Sequence, residues 1–152
     1  MALQSYLNLS EKRIVVAGAG VTGKPVAATL KARGADVIFA DEKIESVEGF
    51  EVKRPNEISP DSFDALMISP GWREDHPLVQ LARTSGKEIL NEIDFAWTLR
   101  GELAPGQKWL ALTGTNGKTT TVEMVAHIMT SAGLSAVACG NVGTTVIESV
   151  TS

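Results

Sequence analysis

The chain reads as a doubly wound α/β protein built on a parallel sheet, and two observations carry that reading. Short β-branched runs alternate with helix-periodic segments along the first hundred residues, and a glycine turn closes the first run where it feeds a helix. "RIVVAGAG" supplies the first strand, Ile14 to Val16, ending in glycines. In "VTGKPVAATLKARG", Pro25 suits a helix's first turn, Val26, Ala27 and Leu30 share one face, and Gly34 is placed to stop it. "ADVIFAD" is a second buried strand ending at Asp41, which completes a βαβ unit.

The alternation then repeats. "DALMISPG" reads as a strand entering a turn at Pro70-Gly71, "HPLVQLARTSG" as a helix opened by Pro77, and "KEIL" as a short strand. "NEIDFAWTLRG" is helical, with Ile93, Ala96, Trp97 and Arg100 at helical spacing. Residues 100 to 108, "RGELAPGQK", hold two glycines and a proline with little apolar content and read as a linker. The expected division is therefore a nucleotide-binding α/β domain over residues 1–103 and the start of a second α/β domain over 104–152. In that second part "WLALTG" is expected as a strand, "GKTTTVEMVAHIMTSAG" as a helix with Val122, Val125, Ala126 and Met129 on its apolar face, and "LSAVACG" as another strand.

Composition narrows the function. The 152 residues are 43% hydrophobic and 21% charged, and 18 acidic against 14 basic residues give a net charge of -4. That balance provides no bulk attraction to nucleic acid or anionic lipid, though a local phosphate site is compatible with it. The single cysteine, Cys139, permits no internal disulfide and reads as a small buried thiol. "MALQSYLNLSEKR" lacks the basic start and apolar run of a signal peptide, and no apolar stretch has the length of a membrane span, so the expected location is the cytoplasm.

Two glycine turns carry the chemistry. In "GAGVTG", Gly18 permits the tight turn, Gly20 lets a ligand's phosphates approach the backbone, and Gly23 lets the helix pack closely on the strand. Asp41 ends the next strand 21 residues after Gly20, where a carboxylate accepts from a ribose hydroxyl in dinucleotide sites. NAD and FAD fit this pattern, and UDP offers the same diphosphate and ribose. In "TGTNGKTT", Gly114 and Gly117 allow the chain to curl around phosphates, Lys118 supplies a cation, and Thr119 is the natural Mg²⁺ ligand. Leu112 stands where the usual phosphate loop has its first glycine, so the preceding strand must run further into the loop.

Together these segments resemble the Mur ligases. "TGTNGKTT" is similar to that family's shorter ATP-binding loop, and "GAGVTG", Asp41, "SPG" at 69 to 71 and "GNVG" at 140 to 143 favour the member that adds D-glutamate. The resemblance runs along essentially the whole chain. It implies a Rossmann-like domain that holds UDP rather than NAD(P). It also implies a reaction in which ATP phosphorylates the alanine carboxylate of UDP-N-acetylmuramoyl-L-alanine and the amine of D-glutamate attacks the acyl phosphate. Carried over by position, Val21 and Thr22 would touch the diphosphate, Asp41 the uridine with Glu42 and Lys43 beside it, and Gly71 would approach the nucleotide through its backbone. Glu42 departs from the small polar residue of the family at that position. Asn141 would reach the UDP-sugar from the second domain; Gly114, Thr115, Asn116, Gly117 and Lys118 would cradle the ATP phosphates, with Thr119 on Mg²⁺ and Thr120 capping the site. By the same resemblance the family's catalytic groups are expected beyond Ser152, with none in residues 1–152, so this stretch is expected to be inactive alone.

Other residues tempt a functional reading. His76 in "EDHPLV" reads better as the residue that introduces a Pro-started helix than as a catalytic base, and His127 lacks a neighbouring His or Cys for metal binding. Trp72, beside the "SPG" turn, is placed to stack on a base, whereas Trp97 and Trp109 flank the linker as packing residues.

Overall fold

The computed structural model describes Tyr6, residues 9–69 and residues 71–152. Pro70 of the expected turn, and most of the N-terminal segment read against a signal peptide, lie outside the described residues. The first strand, β1 (Arg13–Ala17), alternates its side chains between two cores. Ile14 and Val16 enter one apolar cluster, Val15 and Ala17 the other. A strand buried on both faces must be apolar throughout, and Ile14–Ala17 is.

Helix α1 (Gly23–Ala32) buries Gly23, Val26, Ala27 and Leu30, the face the sequence indicates, and Gly34 follows it with φ +86°. It leads to β2 (Asp36–Ala40), and then to β3 (Glu51–Lys53), a three-residue strand that sequence periodicity does not reveal. Strand β4 (Ala65–Ile68), helix α2 (Pro77–Thr84) and strand β5 (Glu88–Asn91) complete the sheet. Its order is β3-β2-β1-β4-β5, and every pairing is parallel. The Arg13 guanidinium bridges back to Asp64 just before β4 at 2.7 Å and holds that carboxyl at about 2, below the usual carboxylate range.

Strand β5 passes directly into α3 (Glu92–Leu103), whose start Asn91 caps by accepting from the Ile93 N–H at 2.7 Å. The buried face of α3 is Glu92, Phe95, Ala96 and Leu99, one residue out of phase with the spacing read from the sequence. With no loop between β5 and α3, the strand sets the helix's rotation and leaves Trp97 45% exposed. Trp97 instead packs edge-on against Trp109, ring centroids 5.1 Å apart.

The last third departs from expectation. Residues 109–113 and 134–138 are not strands; only an isolated bridge between Cys139 and Thr144 is formed there. A parallel strand is held by the hydrogen bonds of a neighbour, and among the described residues neither segment has one. Helix α4 (Lys118–Ser131) forms between them but buries no residue fully, although its half-covered side is the Val122, Val125, Ala126 and Met129 face.

A final helix, α5 (Val146–Thr151), was not legible from apolar periodicity and returns to the first core. Val146, Ile147 and Val150 bury themselves among the residues of α1 and α3. Its start is a capping box: the Glu148 N–H donates to Thr145 Oγ at 3.3 Å while the Thr145 N–H donates to the Glu148 carboxylate at 3.0 Å. At its other end Ser152 is the C-cap, exposed, with its N–H donating to the Glu148 carbonyl at 3.0 Å. Buried Glu92 accepts from the Ile147 N–H, yet its Oε1 has no partner, and burial pushes its carboxyl above the usual range. Residues 104–108 are tied to the same place, since Gln107 donates to the Ser149 carbonyl at 2.6 Å and accepts from the Trp109 indole at 2.7 Å. Among the described residues no helix is long and apolar enough to cross a membrane.

Candidate functional site

The sheet order reverses at β1, which has β2 on one side and β4 on the other. Loops leaving the carboxyl ends of strands at such a reversal diverge, and they leave a crevice where open α/β sheets hold their ligands. Here the crevice has a volume of about 740 Å³. Its floor is the β1–α1 turn, one wall is the segment after β2, and the other is made by Ser69, Gly71, Trp72, Arg73, Asp75, His76 and Pro77.

The three glycines of the turn have three separate reasons. Gly18 sits at φ +90°, a backbone state that side chains resist. A Cβ on Gly23 would stand 1.9 Å from the Gly18 carbonyl oxygen, so that position must be glycine for the helix to leave the strand at this angle. Gly20 has nothing within 4 Å of where its Cβ would be and faces the crevice. Val21 and Thr22 follow in the lining; Lys24 N–H donates to the Gly20 carbonyl and Pro25 has no N–H, whereas among the described residues the N–H groups of Gly20, Val21, Thr22 and Gly23 have no acceptor. Such an arrangement of N–H groups at a helix start can receive an anion.

Asp41 is placed at the crevice but much of its capacity is spent. One carboxylate oxygen accepts from the Ala19 N–H at 2.8 Å, and the other from the N–H groups of Lys43 and Ile44 at 2.8 and 2.9 Å. Partial burial pushes its pKa up, but these three donors prevail and leave it below the ordinary range. Asp41 therefore ties the glycine turn to the next loop. Beside it, Glu42, Lys43 and Gly71 also line the crevice.

Sequence reasoning underrated the far wall. Trp72 packs above Gly18, its indole nitrogen 3.5 Å from the position of a Gly18 Cβ. His76 does introduce α2, accepting from the Leu78 N–H through Nδ1 at 3.2 Å, but it also faces the crevice and packs edge-on against Trp72 at 4.4 Å. The spacing Trp72-x-x-x-His76 after a turn was the available signal.

The second glycine turn lies apart. Gly114 and Gly117 adopt φ +156° and +75°, and Gly117 starts α4. Lys118 curls back so that its ammonium donates to the carbonyls of Gly114 and Thr115. In that position it closes a loop of backbone groups at a helix N-terminus, with its charge where an anion would sit. Thr115, Asn116, Thr119 and Thr120 are exposed around it. Asn141 is exposed and does not line the crevice, so the structure does not bring it together with Gly18, Gly20 and Gly71. Ser152, the bound beyond which catalytic groups are expected, does not line the crevice either; its polar backbone serves the end of α5. Among the described residues no group of three or more His, Cys, Asp or Glu is placed to hold a metal ion.

No protein-family model matches the chain. It is 38% identical over 153 residues to the UDP-N-acetylmuramoylalanine–D-glutamate ligase of Thermobifida fusca (strain YX), covering 93% of this chain and 32% of that protein. The ligase of the same name from Corynebacterium efficiens is 39% identical over 153 residues, covering 92% of this chain and 32% of its own length. The chain belongs to the Mur ligase family. It spans about a third of the length of the curated relatives it matches. Among solved Mur ligases, UDP-N-acetylmuramate-alanine ligase MurC from Thermotoga maritima superposes with a TM-score of 0.50 at 28% identity, over 81% of this chain and 30% of that one. The UDP-N-acetylmuramate:L-alanyl-gamma-D-glutamyl-meso-diaminopimelate ligase of Neisseria meningitides, 23% identical with a TM-score of 0.51 over 90% of this chain and 46% of that one, shares the fold. For a Mur ligase sequence, the two glycine turns are the parts with an evident chemical use. Trp72 and His76 are crevice residues that neither glycine pattern contains.

Proposed function

We propose that this chain is the part of an ATP-dependent amide-bond ligase that binds its nucleotide-sugar substrate, UDP-N-acetylmuramoyl-L-alanine, and contributes the phosphate loop for ATP. The carrying observation is a crevice at the glycine-rich β1–α1 turn together with "TGTNGKTT", in a chain 38–39% identical to D-glutamate-adding ligases. Residues 1–103 are the UDP-binding domain in this reading, and 104–152 begin the ATP-binding domain.

In the crevice, Gly20, Val21 and Thr22 meet the diphosphate through the N–H groups of the α1 start, and Gly71 leaves room for the nucleotide. Asp41 keeps that turn in shape. At the second turn, the residues present fit a nucleotide phosphate: Gly114 to Gly117 offer N–H groups, and Lys118 moves from its carbonyl partners to the anion. Thr119 would hold Mg²⁺, and Thr120 would cap the site. Bound ATP supplies the phosphoryl group that activates the alanine carboxylate for attack by D-glutamate. Asn141 would contact the UDP-sugar from the second domain. The chain's own residues bind and orient, and we expect no amide synthesis from them alone. The use of UDP-linked precursors and ATP assigns this work to the cytoplasm.

Calorimetric titration with UDP-N-acetylmuramoyl-L-alanine, UDP and NADH tests the reading. Heat from the first two and none from NADH is the expected result. Binding of NADH alone overturns it.

A further inference from the structure

Residues 109–138 carry apolar surface that the fold leaves without cover. The chain exposes 9195 Å² of accessible surface. A folded monomer of 16.1 kDa exposes about 7400 Å², so the excess is about 1800 Å². Six of the nine large apolar side chains exposed among the described residues fall in this one stretch: Leu110, Leu112, Met124, Ile128, Leu134 and Val137. Helix α4 has apolar residues on two sides. Its Val122, Val125, Ala126 and Met129 face is half-covered, yet Met124 and Ile128, one turn apart on another side, are 59% and 62% exposed. A helix that is apolar on two sides needs cover on both. The extended residues 110–113 and 135–137 add N–H and carbonyl groups that have no backbone partner among the described residues.

Charge points the same way. Of 14 basic and 18 acidic side chains, this stretch holds one of each, Lys118 and Glu123. Two copies therefore meet here without the repulsion that a net charge of -4 brings to the molecule as a whole, and depletion of charge marks the core of an interface. The excess surface is roughly twice the ~800 Å² that one partner gives to an interface of standard size. We infer that residues 109–138 form a self-association face whose occupant is a second copy of this chain, paired about a two-fold axis. Met124 and Ile128 of each copy supply the apolar centre, and the extended segments offer their free backbone groups to the partner. The pairing is independent of what fills the crevice, since no residue of 109–138 lines it.

Sedimentation velocity on the full 152-residue chain tests this. A monomer–dimer equilibrium with a dissociation constant on the order of 10 µM or tighter is expected. Met124→Lys/Ile128→Lys keeps good helix formers on α4 and should raise that constant at least about tenfold. Leu134→Lys, outside any helix or strand, should weaken the pair in the same direction and serves if the α4 variant loses its circular dichroism. Leu103→Lys, an apolar site on α3 that is 49% exposed, should leave it unchanged. A chain that stays monomeric well above that concentration overturns the proposal and leaves the face to a different occupant. A dimer that neither variant weakens overturns it too, because the copies then meet elsewhere. So does open-ended growth with no dimer plateau, which an isologous pair does not give.

Discussion

Gly20 and Gly23 look alike in "GAGVTG" but sit in opposite surroundings, and their substitutions should separate. Gly23→Ala drives a Cβ into the Gly18 carbonyl and can be relieved only by moving backbone. A loss of about 1–3 kcal/mol or more is expected, visible as a lowered midpoint in urea unfolding. Gly20→Ala meets nothing in the protein, so its midpoint should stay within about 0.5 kcal/mol of the parent while UDP affinity falls. Equal stability losses at the two sites would contradict this division of labour. Both glycines were visible in the sequence, as was Asp41. What was not visible is that Asp41 spends its carboxylate on the backbone, because hydrogen bonds between residues 22 apart depend on where the two loops meet.

At the scale of elements, α5 shows how a short helix is won by context. Six residues cannot hold a helix in water by propensity. The capping box satisfies the start, and Val146, Ile147 and Val150 provide the burial. Thr145→Ala should cost about 1 kcal/mol and raise the exchange rate of the α5 amides ahead of those in β1. Unchanged protection in α5 would mean that the cap is incidental. Three apolar residues in six do not reveal which surface covers them. Strands β3 and the expected 109–113 and 134–138 segments carry the converse lesson. A strand exists when a neighbour accepts its hydrogen bonds: β3 gains β2 despite a polar sequence, while the two more apolar segments find no partner among the described residues.

Across the whole molecule, buried and paired carboxyls set the response to acid. Asp64, held at about 2 by Arg13, and Asp41, held low by backbone donors, have folded pKa values below their unfolded ones. Their stabilisation is complete above the unfolded value of about 4 and is lost as pH falls through the folded values. Glu92 has the opposite sign: its folded pKa is raised, so stability declines as pH rises from the unfolded value of about 4.3 toward the folded one. The thermal midpoint should therefore rise on going from pH 7 to about 5 and drop steeply below pH 4. Glu92→Gln should remove the first change, raising the midpoint at pH 7 and flattening the profile above pH 5. A variant that keeps the parent's slope there would show that Glu92 does not supply it. Differential scanning calorimetry across this range reads all three effects.

The sequence by itself determined four of the five strands and the two turns, because continuous apolar runs, helix-period faces and obligate glycines are local constraints that any fold must satisfy. It determined the family through the same segments. Only the tertiary structure decided the rotation of α3, the return of α5 to the first core and the engagement of Asp41 with the backbone. Each of these is a pairing between parts of the chain joined by no periodicity, and burial and hydrogen-bond partnership are settled only when those parts are in contact.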